Sequence, residues 1–207
     1  MTDQALISWG RTVSRRRPGV PSLWLFTDTR RLPDPRPAAR RLPKGIAGIV
    51  FRHDDHPDRV AIGRDLARIC RARRLALVVS GDVRLAAALG AGVHIRGGRW
   101  PGPLRRPGMV TSSAHHRTDL IRARRNRATL AFLSPVFPTA SHPGEPTLGA
   151  ARWTRLARLV PLVVPLAIPL AIPWAAPLAI AGLGGLDGRN IKRLGYCRAV
   201  GAIGALS

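Results

Sequence analysis

Cysteine, lysine and acidic side chains are all scarce in this chain of 207 residues. Its two cysteines, Cys70 and Cys197, stand far apart with no CxxC pair, which excludes a zinc ribbon and a disulfide framework. The opening residues MTDQALISWGRTVSRRR hold no apolar run long enough for a secretory signal, so a reducing cytoplasm is the expected compartment. Lys44 and Lys192 are the only lysines among 34 basic residues; the rest are arginine. Against 11 acidic residues this gives a net charge of +23 and a pI of about 12.0. Arginine used this way, with abundant Ala, Gly and Pro, fits the codon bias of a GC-rich genome acting on surface positions.

Aromatic residues are only 5% of the chain. The arginine groups, as at Arg15 to Arg17, Arg71 to Arg74 and Arg122 to Arg127, have no aromatics interleaved with them. A stacking platform for single-stranded nucleic acid needs both, so specific nucleic-acid binding is not expected, although general attraction to polyanions is. An unbroken apolar run is also lacking. Leu159 to Leu183 is apolar throughout, but Pro161, Pro165, Pro169, Pro173 and Pro177 interrupt it in a four-residue repeat. Each interior proline costs a helix about 3 kcal/mol, which argues against a membrane span. The repeat reads as a tandem expansion of one strand edge: residues 161–176 are an insertion, and the last copy begins the seventh strand.

What the chain does have is a β–α rhythm suited to one domain. Residues 1–20 read as a polar, basic extension with a frayed backbone, and 21–207 as the folded unit. Strands are expected at Leu23 to Phe26, Ile46 to Phe51, Leu75 to Val79, Gly92 to Ile95, Met109 to Thr111, Thr129 to Leu133, Leu178 to Leu183 and Val200 to Leu206. Helical spacing lies between several of them: Asp58 to Arg73 repeats Val60, Ile62, Leu66, Ile69 and Cys70. Residues 29–44 allow only a short helix, and 96–108 none. Eight strands alternating with helices predict an α/β fold, a single-domain (β/α)₈ TIM-type barrel with the proline-rich repeat inserted before its seventh strand.

The stretch Ser134 to Gly149, SPVFPTASHPGEPTLG, joins the sixth strand to the next helix. Pro135 and Pro138 keep it extended, and Thr139, Ser141 and His142 follow on a Gly/Pro-rich turn. A loop at that position in an α/β fold is where polar binding groups are usually carried.

These segments together resemble the thiamine phosphate synthase/thiazole tautomerase superfamily. LWLFTD (Leu23 to Asp28) is similar to its LYLVTD-like opening strand, and VRLAAALGAGVH (Val83 to His94) to its VDLALALGADGVH segment. SPVFPTASHPG resembles its GPVFPT-x-[ST]-K-PG loop, and AGLGGL (Ala181 to Leu186) its ALGGI strand end. The resemblance implies a barrel whose site lies at the C-terminal ends of the strands. It also implies a reaction in which hydroxymethylpyrimidine diphosphate loses diphosphate and the nitrogen of a thiazole phosphate takes the cationic carbon. Such chemistry calls for Mg²⁺ or basic groups on the diphosphate, backbone N–H groups for the second phosphate, and hydroxyls to orient the rings.

By that resemblance Arg52 and Ser113 would contact diphosphate, Thr139, Ser141 and the residue at His142 the thiazole phosphate, and Gly184 and Gly185 the same phosphate. The departures are as informative. Asp54 replaces the lysine of a QLREK strand end, His142 replaces the loop lysine, and Ser80-Gly81 replaces an Asn-Asp pair. Gly98 and Arg99 stand where a further aspartate is expected. The Mg²⁺ carboxylates are thus not preserved, leaving Asp54 and Asp82 as substitutes to consider, or Arg96 and Arg99 as direct counter-charges. Solvated surface arginines are the plainer reading of that last pair. In the tautomerase branch a histidine of an S-x-H motif moves a proton, and His115 holds that position. His116 is expected at the surface, and His53, His56 and His94 as structural or solvated. A non-catalytic barrel that binds a phosphorylated ligand, and a general polyanion binder, are the remaining alternatives.

Overall fold

Eight short strands, each parallel to its neighbours, close into a barrel in sequence order, with β8 pairing back onto β1. In this computed structural model the described residues are 3–16, 18–100, 108–139, 144–162, 178–202 and 204–206. The strands are β1 (Leu23–Phe26), β2 (Ala47–Phe51), β3 (Ala76–Ser80), β4 (Gly92–Ile95), β5 (Val110–Ala114), β6 (Leu130–Leu133), β7 (Ala179–Leu183) and β8 (Ala199–Ala202). The helices are α1 (Gln4–Arg16), α2 (Arg36–Arg41), α3 (Arg59–Arg73), α4 (Val83–Leu89), α5 (Arg117–Arg125) and α6 (Gly149–Leu162). The expected (β/α)₈ barrel is the fold observed.

Alternation along each strand divides the apolar residues in two. Trp24, Phe26, Val50, Val78, Leu130, Phe132, Ala181 and Ala199 form the cluster inside the barrel. The Phe26 and Phe132 rings meet edge to face at 4.8 Å, and Trp24 meets Phe132 at 5.6 Å. So few large rings fill the bore because glycines face them. A Cβ on Gly48 would lie 2.6 Å from Trp24, and one on Gly201 would lie 2.6 Å from Phe26. One polar pair is built into this interior: His94 Nδ1 and Thr111 Oγ1 are hydrogen-bonded at 2.9 Å. Burial against Phe26 and Phe132 pushes the imidazole down to about 3, and the Arg52 and Arg96 charges act in the same direction.

The N-terminus departs from expectation. Residues 4–16 are a helix rather than a frayed extension. Asp3 starts it, its Oδ1 accepting from Leu6 N at 3.0 Å. Asp3 N donates to Ala205 O at 3.0 Å, and Asp3 Oδ2 accepts from Gly188 N. Farther along, Ser22 Oγ donates to Gly10 O at 2.8 Å, with Gly10 set against Leu23. The helix therefore lies along β8 and β1, the stretch of the outer layer where the described residues after β8 supply only a 3₁₀ turn (Gly204–Leu206). Only Leu6, Ile7 and Gly10 are buried on it, a stripe narrow enough to be lost among arginines. The last strand is also shorter than its apolar run suggested, since residues 204–206 leave the sheet.

The seventh strand begins within the last PLAI copy, at Ala179. α6 extends through Pro161 and Leu162; residues 163–177 of the repeat lie outside the described residues. Cys70 and Cys197 are both buried and unpaired, and burial pushes each thiol up to about 12. No helix among the described residues is long and apolar enough to cross a membrane.

Candidate functional site

The C-terminal ends of the strands carry a continuous rim of polar contacts from β1 round to β7. It begins just after β1. Arg52 N donates to Thr27 Oγ1 at 2.9 Å, and Thr27 Oγ1 is 3.0 Å from His53 Nδ1. His53 Nε2 lies 3.1 Å from Pro33 O, an atom that only accepts, so Nε2 carries the proton and Nδ1 receives the threonine hydroxyl. Burial lowers the His53 pKa, which suits this neutral form. His53 is therefore structural: it ties the loop after β1 to β2.

Arg52 follows β2, and its side chain turns toward the barrel mouth. Its Nε donates to Thr27 O at 3.1 Å, one terminal nitrogen is 3.4 Å from Asp28 Oδ2, and the guanidinium lies over the Phe26 ring at 5.6 Å. Burial lowers its pKa, with Asp28 opposing that shift. Burial raises the Asp28 carboxyl, but the N–H groups of Arg31 and Arg30 and the Arg31 and Arg52 charges together outweigh this and hold it below the usual range.

Next round the rim is a cluster with Arg59 at its centre. Arg59 opens α3 and sends one terminal nitrogen to Asp82 Oδ2 at 3.0 Å and the other to Asp54 Oδ1 at 3.1 Å. The second nitrogen also reaches Ser80 O at 3.3 Å. Asp54 Oδ2 is taken by Arg96, whose Nε is 3.3 Å from Ser80 Oγ. Asp82 Oδ1 caps α4 by accepting from Leu85 N at 2.9 Å. No sequence signal separates Arg59 from the other arginines. Arg99 is exposed and turns back through its backbone, N to Arg96 O at 3.0 Å.

The Mg²⁺ implied by the resemblance does not fit these residues. Both candidate carboxylates, Asp54 and Asp82, are already engaged through both oxygens by arginine or backbone N–H. Among the described residues no three His, Cys, Asp or Glu side chains gather as a metal site requires.

From β4 the rim passes to β5, where Ser113 Oγ accepts from Gly97 N at 3.1 Å. His115 lies just beyond β5 and is exposed. Its backbone N–H donates to Asp119 Oδ2 at 2.9 Å. Its Nδ1 donates to Ser134 O at 3.1 Å, which leaves Nε2 as the basic nitrogen of the neutral ring. His116 is exposed, as expected.

The last part of the rim is made of backbone. Val136 N donates to Leu183 O at 3.0 Å and Phe137 N to Gly184 O at 3.1 Å, so the loop after β6 lies on the turn after β7. Gly184 and Gly185 have φ of +93° and +63°, in the left-handed region. A Cβ on Gly185 would lie 2.4 Å from Pro138 O, and one on Gly184 would lie 3.1 Å from Pro135 and 3.5 Å from Thr139. The loop then closes on itself: Leu148 N donates to Pro135 O at 3.0 Å and Gly149 N to Val136 O at 2.9 Å. Trp153 of α6 anchors it by donating Nε1–H to Leu133 O at 3.1 Å. Thr139, Gly184 and Gly185 are thus brought together. Ser141 and His142 lie outside the described residues.

Residues 24–203 match the family described as thiamine monophosphate synthase. No curated protein matches the chain significantly. Among solved structures it is similar to thiamine phosphate pyrophosphorylase from Pyrococcus furiosus, at 18% identity and a TM-score of 0.65, over 88% of this chain and 85% of that one. The thiamine phosphate pyrophosphorylase of Bacteroides thetaiotaomicron gives 14% identity and 0.54, over 90% and 84%. An HpcH/HpaI aldolase/citrate lyase family protein from Burkholderia cenocepacia gives 15% and 0.57, over 94% and 92%. At such identities these neighbours attest the barrel alone, and a barrel alone does not fix a function. The family match is the more specific finding, since it spans every strand of the barrel, and by it this chain belongs to the thiamine monophosphate synthase family.

Proposed function

We propose that this chain couples hydroxymethylpyrimidine diphosphate with thiazole phosphate to give thiamine phosphate and diphosphate. The reaction breaks the C–O bond to the diphosphate, which leaves with the electron pair. The thiazole nitrogen lone pair then forms the C–N bond to the cationic carbon. No proton changes hands, so the protein's tasks are to stabilise charge on the leaving group and to hold the nitrogen in line. The observation that carries this reading is the two-sided mouth, with guanidinium groups at the ends of β2 and β4 and a glycine-backed polar loop at β6 and β7.

In this reading Arg52 and Arg96 meet the diphosphate, and the Ser113 hydroxyl donates to it while its oxygen accepts from Gly97. Thr139, Ser141, His142, Gly184 and Gly185 receive the thiazole phosphate, small groups and backbone being suited to close approach around an anion. One observation supports a second reading, tautomerisation of a thiazole carboxylate phosphate. His115 has its Nδ1 proton fixed by Ser134 O and so offers Nε2 as a base.

The test is thiamine phosphate formation from the two substrates, with Mg²⁺ and with chelator. Product in either condition supports the synthase reading, and none in both removes it. His115→Ala then separates the rest: loss of thiazole tautomerisation supports the second reading, and a parent chain with no such activity leaves a binding protein.

A further inference from the structure

We infer that Arg59 and Arg96 take the place of a divalent cation, so that the diphosphate half of the mouth works without metal. This rests on the synthase reading above. Arg59 sits between carboxylates from the ends of two strands, with its planar fork divided between Asp82 at 3.0 Å and Asp54 at 3.1 Å. Its side chain is only 18% exposed. A cation that bound Asp54 and Asp82 together would have to displace this guanidinium and leave its nearly buried charge with only the Ser80 carbonyl, an unfavourable exchange.

The remaining carboxylate oxygens are also occupied. Asp82 Oδ1 is held by the N-terminus of α4 through Leu85 N, and Asp54 Oδ2 by Arg96. Mg²⁺ demands near-octahedral oxygen ligands at about 2.0–2.1 Å, and every oxygen of these two side chains already accepts from a guanidinium or backbone N–H whose positive charge would lie against the ion.

The two arginines are not equivalent. Arg59 is enclosed and shared by two acids, so it is a fixed counter-charge. Arg96 is 63% exposed and holds Asp54 at the surface, where ion pairs are weak. An incoming diphosphate can therefore take Arg96 from Asp54 while Arg59 keeps that carboxylate neutralised. Arg52, anchored over Phe26 and balanced in part by Asp28, faces the same mouth and supplies a second guanidinium. Guanidinium forks bind phosphate oxygens bidentately, which gives the site direction as well as charge.

The experiment is calorimetric titration of inorganic diphosphate into the full chain at physiological salt, once with chelator and once with Mg²⁺. It is paired with electron paramagnetic resonance of Mn²⁺ added to the chain alone. The expected result is the same affinity in both buffers and no bound Mn²⁺. Arg96→Ala should weaken diphosphate about tenfold to hundredfold, as loss of one charge-assisted contact does. An Arg155→Ala/Arg158→Ala double variant on α6 should leave the affinity unchanged. Arg59→Met should free the two carboxylates and let Mn²⁺ bind; if this variant does not fold, the parent chain and Arg96→Ala still decide the matter. Diphosphate binding seen only with Mg²⁺, or Mn²⁺ bound to the parent chain and lost in Asp82→Asn, would overturn the inference while leaving the synthase reading intact. An equal loss in the α6 variant would overturn it as general polyanion attraction. Absence of diphosphate binding in both buffers would remove the inference and the synthase reading together.

Discussion

The two halves of the barrel mouth are built on opposite principles. From β1 to β4 the rim is made of long charged side chains, each with more than one partner and several of them half exposed. From β6 to β7 it is made of backbone, with Pro138 O and the Gly185 Cα so close that no side chain fits between them. Charged groups near water contribute little to stability but can change partner when an anion arrives. A turn fitted against a loop at left-handed φ cannot change partner, and any added atom there is costly. The first half is thus adaptable, while the second is a rigid seat.

The largest expected break in this contrast is Gly185→Ala. The new methyl meets Pro138 O at 2.4 Å and the residue keeps φ +63°, which together should cost about 2–4 kcal/mol. Gly195→Ala, at a glycine with open space around it, is the control for urea denaturation. Equal midpoints for the two variants would mean that the seat is not tight.

Acid should act next most strongly, through the imidazole that lies beneath the arginine half. The His94 pKa is held at about 3 in the fold, whereas the unfolded value is near 6.5. A depressed histidine contributes stability that is full above the unfolded value and is lost as pH falls toward the folded one. Between pH 6.5 and about 3 the unfolded chain binds the extra proton, so stability falls by up to about 1.4 kcal/mol per pH unit. His53, shifted the same way, adds to the slope. Urea midpoints at pH 7 and pH 4.5 should therefore diverge less in His94→Asn than in the parent chain. Identical slopes would contradict the assignment of His94 as a neutral core residue.

The arginines should then separate from one another. Arg59→Met, which strips two carboxylates of their shared partner, should cost about 1–2 kcal/mol. Arg96→Ala should stay within about 0.5 kcal/mol, as exposed pairs do. A reversal of that order in thermal denaturation would exchange the fixed and the exchangeable roles.

Residues of both halves were legible in the sequence, Arg52 and Arg96 as well as Gly184 and Gly185, but the pairing within the adaptable half was not. Gly184, Gly185, Pro135 and Pro138 place demands on the backbone, and such demands stay with the residue whatever surrounds it. The strand alternation and the short hydrophobic runs likewise carried the barrel. Arg59 showed nothing, because an arginine at the start of a helix looks the same whether it meets water or two aspartates. Asp54 and Asp82 were visible as acids near strand ends, but their partner was not, so they read as possible metal ligands. α1 escaped for a related reason: three buried residues among basic ones make too faint a stripe, and only contact with β8 and β1 makes the helix worth forming.

Whether each half of the mouth holds one anion is decided by a crystal structure with diphosphate and thiazole phosphate both bound, grown with chelator. Diphosphate is expected on Arg52 and Arg96, with Arg59 still between Asp54 and Asp82, and the thiazole phosphate at Thr139 and the Gly184-Gly185 turn. Both anions on outer arginines such as Arg155 and Arg158, with the mouth empty, would contradict this placement.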